Sequence, residues 1–309
     1  MTITSFPVLG IALAVLSSAF LTIGNHLQSR GVAAQAGSGA IGVAQARGLL
    51  RSPVWLGGSA LFGVAILVQL AALAFAPLIV VQPVGVVALV FASLLSAWVT
   101  KKAPSVREMG AITVCVVSLG VFVTVAASVS EQTTITDAQL IAILLVLLAV
   151  LAVTFAALAL RRGRRLPAVV YVLLGGLYAG FVATLGKTVI LRVQTALGSG
   201  DISLDDANLL TIACALGIAI AGALSIFFVQ TAHTVNTPQT VVAGLTVVDP
   251  FIAVVLGITV LNEAANAPLW SFAVFVVAGS AAIGGVWSLA RRQGDPDAAE
   301  PSVPLDAEA

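Results

Sequence analysis

The chain has 309 residues, 60% of them hydrophobic and only 9% charged, with a formal net charge of +1. A mean hydropathy of +1.12, with charges far below the roughly 25% of an ordinary soluble domain, excludes a water-soluble globule. No basic run interleaved with aromatics suggests nucleic acid.

Nine apolar stretches follow in chain order. The first, 7–29, comes after Met1–Phe6, which carries no side-chain charge and so lacks the basic region of a signal peptide. Next come 53–76, then 78–99 with Gln82-Pro83 inside it, 107–127 with Cys115, and 139–160. The stretch 168–191 contains Lys187, 208–230 contains Cys214, 239–260 contains Asp249-Pro250, and 268–289 closes the series. Each approaches the ~20 residues that cross a bilayer as a helix. Backbone amides in lipid must bond internally, so such runs are read as helices. The short alternating segments of a β-barrel are absent. Both cysteines fall inside spans and read as small buried residues, with no disulfide or metal spacing. The expectation is an all-α membrane protein with one polytopic domain over residues 1–290. A tail, 291–309, rich in Asp, Glu, Pro and Ala, is expected to be disordered and cytoplasmic.

The stretches repeat. Val68-Gln69-Leu70-Ala71 with Pro77 recurs as Val229-Gln230-Thr231-Ala232 with Pro238, an offset of 161 residues. Val80-Val81 answers Val241-Val242, and Thr22, Gly24 and Arg30 answer Thr184, Gly186 and Arg192 at an offset of 162. Basic residues alternate between connections: twelve, from Arg30 to Arg292, fall on one side, and Arg192 alone falls on the other. The second side instead holds Glu131, Asp137, Asp201, Asp205, Asp206 and Glu263. The positive-inside rule then sets the N-terminus outside and the C-terminus in the cytoplasm of a plasma-membrane protein. Two four-helix repeats, 7–127 and 168–289, flank a linking helix, 139–160. One intervening span inverts the second repeat relative to the first, an arrangement suited to alternating access.

Few ionisable groups lie within the spans. A charge at helix centre costs about 2.5–3.5 kcal/mol on insertion scales, so Asp249 is expected to face a polar cavity or a partner. Lys187 lies in the outer half of its span, where it could extend to the surface, or could occupy the Asp249 carboxylate as a tethered competing charge if their spans adjoin. Gln82-Pro83 and Asp249-Pro250 occupy equivalent spans, and each proline frees a carbonyl, around Ile79 and Thr246. The candidate substrate residues are therefore Asp249, Lys187, Gln82, Gln69, Gln230 and Thr246, with Asp249 the candidate metal ligand. Proline kinks and interhelical amide bonds are the alternative roles. Gly176 with Gly180, and Gly217 with Ala221, are expected to be packing contacts. No nucleotide loop or nucleophile–base pair is present, so no cofactor and no enzyme activity are expected.

The chain resembles the NIPA-type magnesium transporters of the drug/metabolite transporter superfamily over most of residues 7–290. The likeness rests on His26-Leu27-Gln28-Ser29-Arg30-Gly31, on Leu73-Ala74-Phe75-Ala76-Pro77 to Leu95-Ser96, on Thr184-Leu185-Gly186-Lys187, and on Val229-Gln230 through Asn262-Glu263. The resemblance implies a secondary carrier in the lipid bilayer for magnesium or another divalent cation. Two alternatives stay open: an exporter of amino-acid-like, amphiphilic or lipid-linked solutes, and a non-transporting subunit that stabilises a partner membrane protein. A homodimer is compatible with any of these.

Overall fold

The computed structural model describes residues 6–33, 51–101, 105–131, 135–160, 166–199, 206–235 and 238–292. The expected tail from residue 293 onward, and with it Arg47, Lys102, Arg161–Arg165, Asp201 and Asp205, lies outside the described residues. Among the described residues ten helices are formed: α1 (Pro7–Ala33), α2 (Pro53–Phe75), α3 (Leu78–Val84), α4 (Val87–Thr100), α5 (Val106–Val129), α6 (Asp137–Leu160), α7 (Ala168–Ser199), α8 (Asp206–Val235), α9 (Pro238–Thr259) and α10 (Leu269–Arg292). No strand occurs among the described residues. Among these residues eight segments are long and apolar enough to cross a membrane, and Gly244–Thr259 of α9 forms a shorter apolar helix. The expected nine-helix membrane protein is the observed class.

Local chemistry sets the helix ends. Pro53 opens α2, where a missing N–H costs nothing, and the Ser52 hydroxyl accepts the Trp55 N–H at 3.3 Å. The third stretch is not one helix. Pro83 lies inside α3, and the chain then bends through Gly85 and Val86, whose N–H groups bond the carbonyls of Gln82 and Pro83 at 3.1 Å. Hydroxyls of α1 serve this break: Ser18 donates to the Val84 carbonyl at 3.5 Å and Thr22 to the Ala88 carbonyl at 3.0 Å. Pro250 sits in a helix that continues past it.

The packing has a recurring pattern. α1 lies along α2 and meets α3 and α4, while α7 lies along α8 and meets α9. Helices of the two halves also meet each other: α3 packs on α9, and α5 packs along α10. Helix α6 rests on α8 and, more lightly, on α7. The Tyr178 hydroxyl of α7 donates to the Thr154 hydroxyl of α6 at 2.9 Å, and the Tyr178 ring stacks on Phe228 with centroids 5.8 Å apart. Large apolar side chains such as Trp98, Leu148 and Val276 stand exposed along the spans, the pattern of a surface that meets hydrocarbon. Cys115 and Cys214 are buried and free.

Candidate functional site

Helices α7 and α9 approach closely because α7 presents glycines. A Cβ on Gly176 would lie 2.7 Å from Val248 Cβ, and one on Gly180 would lie 2.7 Å from Ile252 Cβ and 3.1 Å from the Asp249 carbonyl. These are packing contacts, as expected, and they bring α7 against the backbone of Asp249. Its carboxylate atom Oδ1 is buried and has no hydrogen-bond partner among the described residues. A bare buried carboxylate oxygen at this depth is costly unless something else meets it.

A cavity of about 330 Å³ lies between α3, α5, α9 and α10, and neither Asp249 nor Gln82 is among its lining residues. Pro83 and Pro250 both line it, so the two proline segments converge on one space. Thr246 and Ser280 bring hydroxyls to a wall that is otherwise apolar. Gln82 is buried on α3, Gln69 is half-buried on α2, and Gln230 is exposed on α8. The structure thus gathers Thr246 and the neighbours of Gln82 and Asp249 around one cavity, and leaves Gln230 at the surface. Among the described residues, no three His, Cys, Asp or Glu side chains group as a metal cluster.

Lys187 differs from its expected setting. It is 1% exposed, so it does not extend to the surface. Its ammonium donates to the Ala76 carbonyl and lies 3.5 Å from Glu263 Oε1. Asp249 packs level with Gly180, seven residues before Lys187, which is about 10 Å along a helix axis. The charge beside Lys187 is therefore Glu263, not the Asp249 carboxylate it was expected to occupy.

The sequence places Glu263 in an open connection between spans, whereas in the fold it is 4% exposed. Its two carboxylate oxygens accept the N–H groups of Leu78 and Ile79 at 2.8 and 2.9 Å. The physical demand for it is visible in sequence. Pro77 precedes α3 with no side-chain cap, so the first amides of that helix need an acceptor, and a buried lysine needs a counter-charge. The chain end of α9 delivers it. Leu261 N–H bonds the Leu256 carbonyl at 3.1 Å, Asn262 takes a left-handed φ of 56°, and Glu263 N–H bonds the Gly257 carbonyl at 3.0 Å. Asparagine is one of the few side chains that adopt this conformation readily. The neighbouring loop is fastened too: Glu131 N–H donates to the Glu263 carbonyl at 2.9 Å, and Gln139 donates to the Leu261 carbonyl at 2.9 Å. Arg192 pairs with Asp137 on the same face.

Membrane-length apolar helices, with an apolar cavity between them and charges held inside the bundle, define a multi-pass membrane protein. The family model for the magnesium transporter NIPA matches residues 6–241, and the chain belongs to that family. It is a membrane transporter. The matched region ends before Thr246, Asp249 and Glu263. No curated protein and no solved structure matches the chain.

Proposed function

We propose that this protein is an alternating-access carrier of a divalent cation, Mg²⁺ foremost, across the plasma membrane. The observation that carries the reading is the buried, unpartnered Oδ1 of Asp249 where α9 meets α7. Magnesium keeps several of its waters and commonly needs only one or two protein carboxylates, so a single deep carboxylate, with Thr246 three residues earlier on the same helix, suits a hydrated ion. In this reading Asp249 supplies the attraction, and Thr246 and Gln82 hydrogen-bond the ion's water shell. Gln69 and Gln230 are left as interhelical or peripheral amides. The repeated helix pairing supports two inverted repeats, 7–127 and 168–289, with their junction at the cavity. The alternation of basic residues supports an external N-terminus and a cytoplasmic C-terminus.

The test is Mg²⁺ flux into proteoliposomes carrying an entrapped Mg²⁺ indicator. Wild type is expected to show saturable flux, and Asp249→Asn is expected to abolish it while the protein stays folded and monodisperse. Full flux in the folded variant would remove Asp249 from the site. A second reading, export of an amphiphilic metabolite, is favoured by the almost wholly apolar cavity wall. Saturable flux of an amphiphilic cation or amino acid, without Mg²⁺ flux, would select that reading.

A further inference from the structure

The Lys187–Glu263 pair of the second half grips the α2–α3 turn of the first, through the Ala76 carbonyl and the Leu78 and Ile79 amides, at the face opposite the basic connections. Ala76, Leu78 and Ile79 come from the α2–α3 turn, Lys187 from α7, and Glu263 from the turn after α9. We propose that these residues form a latch that holds this face of the carrier shut, and that opening to that side begins when the Lys187 ammonium leaves Ala76 and Glu263. The proposal rests on the alternating-access reading above.

Glu263 does two things at once. Its oxygens hold the first two amides of α3, and Oε1 faces the ammonium. Gly257 leaves room for this: a Cβ there would lie 3.1 Å from Glu263 Oε2 and 3.6 Å from Leu78 Cβ. The last turn of α9 thus lies directly against the first turn of α3, with the carboxylate between them. Separating these turns would expose both charges to water. A buried ion pair recovers its hydration when it opens, so closed and open forms differ far less in energy than the strength of the contact suggests. An apolar contact of the same area would favour closure at every stage. That near-balance is what a gate requires.

The latch also separates the roles of the two inward carboxylates. Asp249 has an oxygen to offer a solute, whereas both oxygens of Glu263 are already engaged by Leu78 and Ile79. Lys187 accordingly acts on access and not on solute contact.

Two labelling experiments in proteoliposomes test this, with Cys115 and Cys214 replaced by alanine and Val254→Cys as reporter on the cavity wall. In the first, Lys187→Met and Glu263→Gln are combined, which removes both charges and leaves none unpaired. The reporter is expected to react at least about tenfold faster with a membrane-impermeant thiol reagent added on the latch side, a shift of about 1.4 kcal/mol. Folded double variant with a rate within about twofold of the parent would overturn the latch. In the second, Leu78→Cys and Gly257→Cys are introduced in the same background, at a Cβ separation within the 3.5–4.5 Å range of disulfides. Oxidation is expected to stop reporter labelling from the latch side, and reduction to restore it. Unchanged labelling in the oxidised, cross-linked protein would also overturn it. Neither arm needs a transported ion, so a lack of Mg²⁺ flux would count against the cation reading alone.

Discussion

Glu263 shows how the charged residues of this protein divide their work. Removing it alone leaves the Lys187 ammonium buried without its counter-charge, and breaking such a pair typically costs about 3–5 kcal/mol. Glu263→Gln is therefore expected to lower the thermal midpoint of the detergent-solubilised protein strongly, and adding Lys187→Met to recover most of the loss. A double variant no more stable than the single one would mean that the cost lies in capping α3 and not in the charge. The sequence pointed to Lys187 and Asp249 because ionisable groups inside apolar stretches are rare. It hid Glu263 because a carboxylate between two spans reads as solvated, and only the folded path of residues 260–263 turns it inward. The partner of Lys187 was hidden for the same reason: a nine-span pattern says which helices exist, not which residues of neighbouring helices stand level.

At the scale of helices, the sequence was legible wherever hydropathy decides the outcome. The stretch 53–76 became Pro53–Phe75, and 239–260 became Pro238–Thr259. Two departures have local causes. Helix α7 runs on to Ser199, past its apolar stretch, where Arg192 bonds the Ile135 carbonyl at 3.2 Å and pairs with Asp137. The third stretch divides because Pro83 is followed two residues later by Gly85, while Pro250 has no glycine until Gly257. Contact between α7 and α9 gives a paired prediction. Gly180→Ala forces a methyl group against Ile252 and the Asp249 carbonyl, and overpacking of this kind costs about 1–3 kcal/mol. Gly186→Ala meets nothing within 4 Å and is expected to be neutral or to stabilise α7 by up to about 1 kcal/mol. Thermal unfolding of the two variants checks the contrast; equal behaviour would contradict the α7–α9 packing.

For the whole molecule, the strongest sequence signal was the division of basic residues, which predicts sidedness independently of any contact. A cysteine placed at Asp201 is expected to react with an impermeant reagent on intact cells, and one at Arg164 to be protected. The reverse pattern would invert the orientation and move the latch to the cytoplasmic face. The proposed duplication rests on spaced Gln, Pro, Gly and Arg residues. The approach of the Gln82-Pro83 and Asp249-Pro250 segments was expected from their equivalent places in the repeat, and α3 packs on α9; the meeting of α5 with α10 was not, because pairing between halves depends on side-chain fit that a repeat offset does not encode.

The latch has no twin in the first half of the sequence. Counting back by the repeat offsets, Asn25 stands where the second half has Lys187, and Lys102 stands where it has Glu263. On the alternating-access reading, a carrier latched at one door by a pair that the repeat does not reproduce at the other is expected to spend unequal times facing the two compartments. The ion gradient still fixes the direction of net movement, but unequal occupancy of the two facings makes the apparent affinity differ from one side to the other, since a site offered for only part of the time binds correspondingly more weakly. Half-saturation for entry and for exit is thus expected to differ in the unmodified protein and to converge in the Lys187→Met/Glu263→Gln variant, a kinetic asymmetry written by a single pair of side chains.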